Sequence, residues 1–391
     1  MSPLGMEGQV RIRVQESGGR VFRVGVESRR PVRTAVVFEG RSPDQVLATL
    51  PLLFGVCRTA QTVAALEALE QAGAQEPGPL AGPARRTAVA AETAREHLNR
   101  ALLDWPPRLG RPAREAEAAR LFPLPDRVRG ALFPNGDPIR AGSGDPAPDA
   151  RALDAARAEL EDGILAVLGV SPEELLGMEG LADLQAYLGS AAGEAVAPAL
   201  MRKVLDRGWA SFGRAAVQPL PHLEPKALAE ILAADGDGSF AARPGWQGRA
   251  HETTPLARQR RHPLVAAAEA EWGPGLLARM VARLVELAGL VRELEPPEPE
   301  APSAREGLGP GRGLAAVEAA RGRLYHYAEV DDGRVARYRI LAPTEWNFHP
   351  EGPLAGGLSA AQAADGLEEP IRLLVGALDP CVAYSLEVEH A

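Results

Sequence analysis

Two cysteines, Cys57 and Cys381, are the residues of this 391-residue chain best suited to metal or redox chemistry. Cys57 sits in Phe54-Gly-Val-Cys57-Arg58-Thr59-Ala-Gln61, just ahead of a stretch with apolar residues at helical spacing. At such a position helix-start amides and the adjacent Arg58 can lower a thiol pKa, and Gly55 permits close backbone approach. Cys381 follows Asp379-Pro380, a turn-forming pair past a second helical stretch. Two thiols cannot make a disulfide framework, nor by themselves a four-thiolate zinc or iron–sulfur site. They act individually or as one pair; the bland alternative is that each is a small buried apolar residue.

Other chemistry-bearing residues are less promising. The spacing of His251 and His262 matches no common zinc pattern, and His326 and His349 read as satisfied core residues. Arg258-Gln-Arg-Arg261 reads as a solvated face or a contact for an acidic partner. The formal charge of −9 gives no reason to bind nucleic acid or an anionic membrane. Of the 43 basic residues only Lys203 and Lys226 are lysines, a compositional bias without chemical meaning. The first residues carry no signal-peptide pattern, and no apolar run of about 18 residues occurs. A cytoplasmic protein with reduced thiols is expected.

The elements that must position these groups follow from periodicity. Gln9 to Gly40 predicts a three-stranded meander: VRIRV, a Gly18-Gly19 hairpin, VFRVGV, and then TAVVF. Ser42-Pro43-Asp44 predicts a helix start, and a second helix follows Cys57, which places that thiol near a helix–helix junction. Residues 104–148, crowded with proline, predict a long surface loop, and 295–312 a second one. Between them the alanine- and leucine-rich segments 149–170, 172–188, 194–207, 225–233 and 264–294 predict helices. Strands closed by Asp331-Asp332-Gly333 follow, then a helix over about 359–375. The class is α+β with a dominant helical middle.

One N-terminal segment and three C-terminal motifs, in order, resemble the large subunit of [NiFe]-hydrogenases. The N-terminal GMEGQVRIRV, GRSPDQ and FGVCRTAQ segments are similar to that family's I-E-G-H-L-R-I, G-R-D-P and R-I-C-G-V-C-x-x-A-H. Near the C-terminus, Glu318-Ala-Ala-Arg321-Gly322 resembles E-A-P-R-G, Pro343-Thr344-Glu-Trp346-Asn347 resembles P-S/T-x-W-N, and Asp379-Pro380-Cys381 resembles D-P-C-x-x-C. Glu252-Thr-Thr-Pro-Leu-Ala-Arg258 adds a weaker central match. The resemblance implies one large-subunit-like unit over 1–391, predominantly helical, with small β elements from the N- and C-terminal segments. Within it, 1–75 carries the meander and Cys57, and 313–391 the strands, helix and Cys381.

The departures define a narrower resemblance. Where the catalytic family has four thiolates around nickel, this chain has Phe54 and Tyr384 at two of the positions. Phenylalanine cannot ligate, and a phenol is a poor nickel ligand at neutral pH; a complete nickel site is not expected. Gln61 replaces the motif histidine and Glu387 stands at the family's processing histidine, so a removable C-terminal tail is not expected. One cysteine at each end is similar to the HupK/HoxV-type hydrogenase assembly proteins. That resemblance implies a non-catalytic scaffold that binds the Fe(CN)2CO fragment transiently through Cys57 and Cys381. The fragment would pass to the hydrogenase large-subunit precursor after delivery by a small chaperone, with no nucleic acid or membrane involved. By the same resemblance Cys57 matches a bridging position and Cys381 a terminal nickel position. Arg321 would offer charge and hydrogen bonds to cyanide, unless it forms a structural pair with Glu318. Glu7 would be a remnant proton-relay carboxylate, or a solvated terminal residue. Phe54, Val56 and Leu341 would form an apolar wall for carbon monoxide, and Trp346 and Asn347 would serve packing and turn. The alternatives are a metal-free structural homologue within a redox complex and a diverged nickel–iron enzyme.

Overall fold

The computed structural model describes residues 8–134, 146–300, 307–359 and 361–390. The chain opens with an antiparallel hairpin, β1 (Val10–Ser17) and β2 (Arg20–Ser28), in which Val10, Ile12 and Val14 point inward on alternate positions. Gly18 and Gly19 both take positive φ, as the tight hairpin turn requires. The expected third strand is absent: TAVVF lies in a 3-10 helix, Val32–Phe38, after Pro31. Ala35 and Phe38 are its buried residues, three apart, so the apolar pair suits one face of a helical turn better than one face of a strand.

Helix α1 (Pro43–Leu53) starts as expected, with Ser42 and Gln45 capping each other and Pro43 at the first position. It ends at Phe54, and α2 (Arg58–Ala72) begins after Cys57. Helix α3 (Ala81–Asn99) is buried along most of its length and runs into a π-helical turn over Arg100–Asp104. The expected loop over 104–148 is in large part helical: short helices span Trp105–Arg108, Glu115–Leu121 and Leu124–Leu132. Pro106 and Pro125 stand in first turns, where a missing N–H costs nothing, so these prolines start helices instead of breaking them. Residues 135–145 of that segment lie outside the described residues.

The middle is helical, as the alanine–leucine pattern requires. The stretch from Leu264 is not one helix: Gly273, at φ 69°, separates Pro263–Trp272 from α4 (Leu276–Gly289). An antiparallel meander follows, β3 (Arg312–Ala319), β4 (Gly322–Asp331) and β5 (Arg334–Leu341), the last two joined across Asp332-Gly333 at positive φ. Arg312 thus begins a strand instead of ending the linker. Helix α2 lies on this sheet at Gly313, where a Cβ would stand 1.8 Å from the Ala68 carbonyl oxygen. Two short helices matter to the site: α5 (Pro343–Asn347) and α6 (Glu368–Leu378), the latter starting later than expected, with Pro370 in its first turn. The last element is β6 (Tyr384–His390), which pairs in parallel with β1, Val10 against Tyr384 through Glu16 against His390. It supplies the third strand of the N-terminal sheet. No helix among the described residues is long and apolar enough to cross a membrane.

Candidate metal centre

Three junctions of this architecture meet at one cavity of about 1170 Å3: the α1–α2 turn, the β3–β4 hairpin and the α6–β6 turn. They bring Cys57, Arg321 and Cys381 to its wall, together with Phe54 and Tyr384. Both cysteines are free thiols, and both are partly buried. The Thr344 hydroxyl of α5 lies 3.1 Å from the Cys381 sulfur. Gln61, one turn into α2, points its amide nitrogen at the Cys57 sulfur at 3.8 Å.

The expected activation of Cys57 by its helix does not occur. The Thr59 and Ala60 amides donate to the Glu92 carboxylate at 2.7 and 3.0 Å, and Arg58 turns away to form two bonds with Asp126, 2.8 and 2.7 Å. Burial pushes the Cys57 thiol up to about 12, and the neighbouring Cys381 and Glu92 add to this against the opposing pull of Arg321 and Gln61. A metal cation at the sulfur would supply the missing stabilisation of the thiolate.

Arg321 occupies the two-residue turn between β3 and β4, and is only 4% exposed. Gly322 after it takes φ 134° and packs so tightly that a Cβ would fall 2.2 Å from the Thr253 carbonyl oxygen. Asn347 donates to the Arg321 carbonyl at 2.9 Å, which gives that residue a positioning bond beyond turn packing. The Arg321 side chain is held by Glu96 at 2.8 Å and lies 3.6 Å from Asp379. Its Nε and Nη1 are buried and make no hydrogen bond among the described residues. Glu318 is not its partner: strand alternation turns Glu318 outward, to Arg323 at 2.5 Å and Arg258 at 3.4 Å.

Asp379, at φ 55°, gathers charge from behind the cavity. Arg100 meets it at 2.6 Å and Arg283 at 3.8 Å, and these guanidinia with Arg321 hold its carboxyl well below the usual carboxylate range. A second arginine, Arg30 at the end of β2, lines the cavity and feels both thiols; its Nη1 donates to Glu345 of α5 at 2.6 Å. The apolar part of the wall includes Phe54 and Val56, but Leu341 faces the opposite side of β5 and packs in the core with Tyr327 and Trp346. Ile340 and Ala342 line the cavity in its place, one residue to either side, as the two-residue period of a strand dictates.

Comparison with known proteins bears on the family and the fold. Residues 277–386 match the family described as nickel-dependent hydrogenase. The chain is 32% identical over 402 residues to the hydrogenase expression/formation protein HupK of Bradyrhizobium diazoefficiens, covering 99% of both chains. It is 33% identical over 384 residues to the hydrogenase expression/formation protein HoxV of Cupriavidus necator, covering 93% of this chain and 92% of that protein. The chain belongs to the HupK/HoxV family of hydrogenase expression/formation proteins. These are accessory proteins, built here on a large-subunit fold: the Ni-Fe-Se hydrogenase of D. vulgaris Hildenborough superposes with a TM-score of 0.62 at 17% identity, over 94% of each chain.

In this HupK/HoxV chain a resident four-thiolate nickel cage does not fit the residues present, because Phe54 and Tyr384 stand on the cavity wall and offer no sulfur. Among the described residues no group of three His, Cys, Asp or Glu side chains is arranged to hold a metal ion. Glu7 lies outside the described residues. Of the histidines singled out above, His326 is bonded to Tyr338 at 2.7 Å and Gln61 at 2.8 Å, and His251 and His262 lie against backbone carbonyls; His349, expected in the core, is only half-buried and its Nδ1 accepts the Glu351 amide at 3.0 Å. Within that basic run Arg258 pairs with Glu286 and Arg260 with Glu269, while Arg261 is exposed. Arg30, Glu92 and Glu96 are the site residues missed by sequence reasoning. Thr344 stood within a quoted motif, and its contact with Cys381 was the one legible signal passed over.

Proposed function

We propose that the chain is a non-catalytic scaffold in hydrogenase formation that holds an Fe(CN)2CO fragment as cargo between Cys57 and Cys381. The observation that carries this reading is the convergence of two free thiols and the guanidinium groups of Arg30 and Arg321 on one cavity. An iron(II) with two cyanides, carbon monoxide and two thiolates is formally a dianion. Arg30 and Arg321 supply the compensating charge, and the Nη1 of Arg321, which has no hydrogen-bond partner among the described residues, is a donor suited to a cyanide nitrogen. Phe54, Val56 and Ile340 suit carbon monoxide, a weak hydrogen-bond acceptor. Two protein sulfurs also favour release, since fewer bonds break than in a finished cluster. The hydrogenase large-subunit precursor is the recipient in this reading, and a small assembly chaperone the donor.

Anaerobic purification from a host expressing the hydrogenase assembly proteins, followed by infrared spectroscopy, tests it. Cyanide and carbonyl stretching bands are expected in the wild type, and their loss in Cys57→Ala and Cys381→Ala. Absence of bands from reduced, co-expressed wild-type protein would refute the carrier role.

A further inference from the structure

Cys57 occupies the N-cap position of α2 but makes no capping bond. A capping side chain normally turns onto the second or third amide of its helix. A sulfur so engaged would be directed at its own helix and withdrawn from the cavity. Here those two amides, Thr59 and Ala60, are bound instead by Glu92, which comes from the middle of α3 and is 3% exposed. One turn further along the same face of α3, Arg95 donates to the Val56 carbonyl at 3.3 Å, and Glu96 holds Arg321. The residues on both sides of Cys57 are therefore tied to one helix, and so is the guanidinium of Arg321, which lines the same cavity.

We propose that Glu92 is a positioning residue for the Cys57 ligand: by capping α2 from outside, it frees the sulfur for the cavity and fixes its direction relative to Cys381 and Arg321. The proposal rests on the reading of Cys57 as a metal-binding thiol. Both carboxylate oxygens are used, one per amide. Glutamine, almost the same shape, can accept only one of these bonds and sets its own N–H group against the other amide.

The test uses the reduced full-length protein and cadmium ion as a thiophilic probe, followed by the sulfur-to-metal charge-transfer absorption. Glu92→Gln is expected to weaken cadmium binding about 10–100-fold, the usual penalty for losing a group that orients a ligand. Glu92→Asp, which keeps both acceptors on a shorter arm, should be intermediate if Glu92→Gln proves too unstable to titrate. Glu70→Gln is the structural control: Glu70 forms a buried pair with Arg85 at the far end of α2, 2.7 Å, and its loss should lower the melting temperature without weakening cadmium binding. Unchanged affinity in folded Glu92→Gln, or equal weakening in Glu70→Gln, overturns the proposal. Cadmium binding that needs Cys57 and Glu92 but survives Cys381→Ala would support the positioning role while refuting the shared two-thiol site.

Discussion

Arg321 is fully charged, almost fully buried, and has more donors than partners. Two carboxylates, Glu96 and Asp379, keep the cation in place without saturating it, a costly arrangement unless something else is to be bound. Arg321→Lys keeps the charge and loses the planar fork. Its expected effect is about tenfold lower occupancy of the infrared-visible cargo and displaced cyanide bands, read by iron content and infrared spectroscopy together. Cys57, Cys381 and Arg321 were legible because each sits inside a short motif whose neighbours are also recognisable. Arg30 and Glu92 were not, because what gives them meaning is a partner far away in the chain. Arg30 meets a carboxylate 315 positions on, and Glu92 meets the amides of a helix start more than 30 positions earlier. No local pattern marks either one.

At the scale of elements, α2 is the piece on which the site depends, since its start carries Cys57 and its body is clamped between α3 and the β3–β5 sheet. Its seat is Gly313, where a methyl group would collide with the Ala68 carbonyl. Gly313→Ala should cost about 1–3 kcal/mol, measurable by denaturant unfolding, and should weaken cargo binding by displacing the helix start. Elements whose apolar period is plain, such as α1 and the β4–β5 hairpin, were readable from spacing. TAVVF was not, because a short apolar run fits a strand and a 3-10 turn equally until its packing partner is known. Residues 104–132 failed for a different reason: proline ends a helix in its middle and begins one in its first turn, and composition does not distinguish the two. The strand at the C-terminal end was hidden because its partner, β1, is the first strand of the chain.

Over the whole molecule, buried ionisable groups set the response to acid. His326 has both ring nitrogens bonded inside the core, and burial holds its pKa down at about 3; His97 is lowered for the same reason. Glu286, buried against Arg258 and His97, is held down at about 2. In each case the unfolded chain binds protons before the folded one. The His326 contribution is complete above pH ~6.5 and is lost as pH falls toward about 3, at up to ~1.4 kcal/mol per pH unit, and that of His97 has the same sign. The Glu286 contribution is complete above about 4.5 and is lost toward 2. Glu92 and Glu345, raised by burial, oppose this trend over the range where they titrate. The expected net result is a melting temperature that falls progressively below pH ~6.5, with the His326 part removed in His326→Gln; a flat profile from pH 7 to 4 would contradict it.

The parallel pairing of β1 with β6 has a consequence for when the site can come into being. Cys57 leaves the ribosome roughly 320 residues ahead of Cys381, a wait of roughly 15–65 s at ordinary rates of synthesis. During that time the N-terminal sheet lacks its third strand, and the cavity lacks the wall formed by residues 380–384. A nascent or truncated chain therefore presents one thiol and no enclosed pocket. Two-thiol capture therefore waits for the segment that carries Cys381, and a copy truncated before it has no means of sequestering a scarce iron fragment in the proposed way.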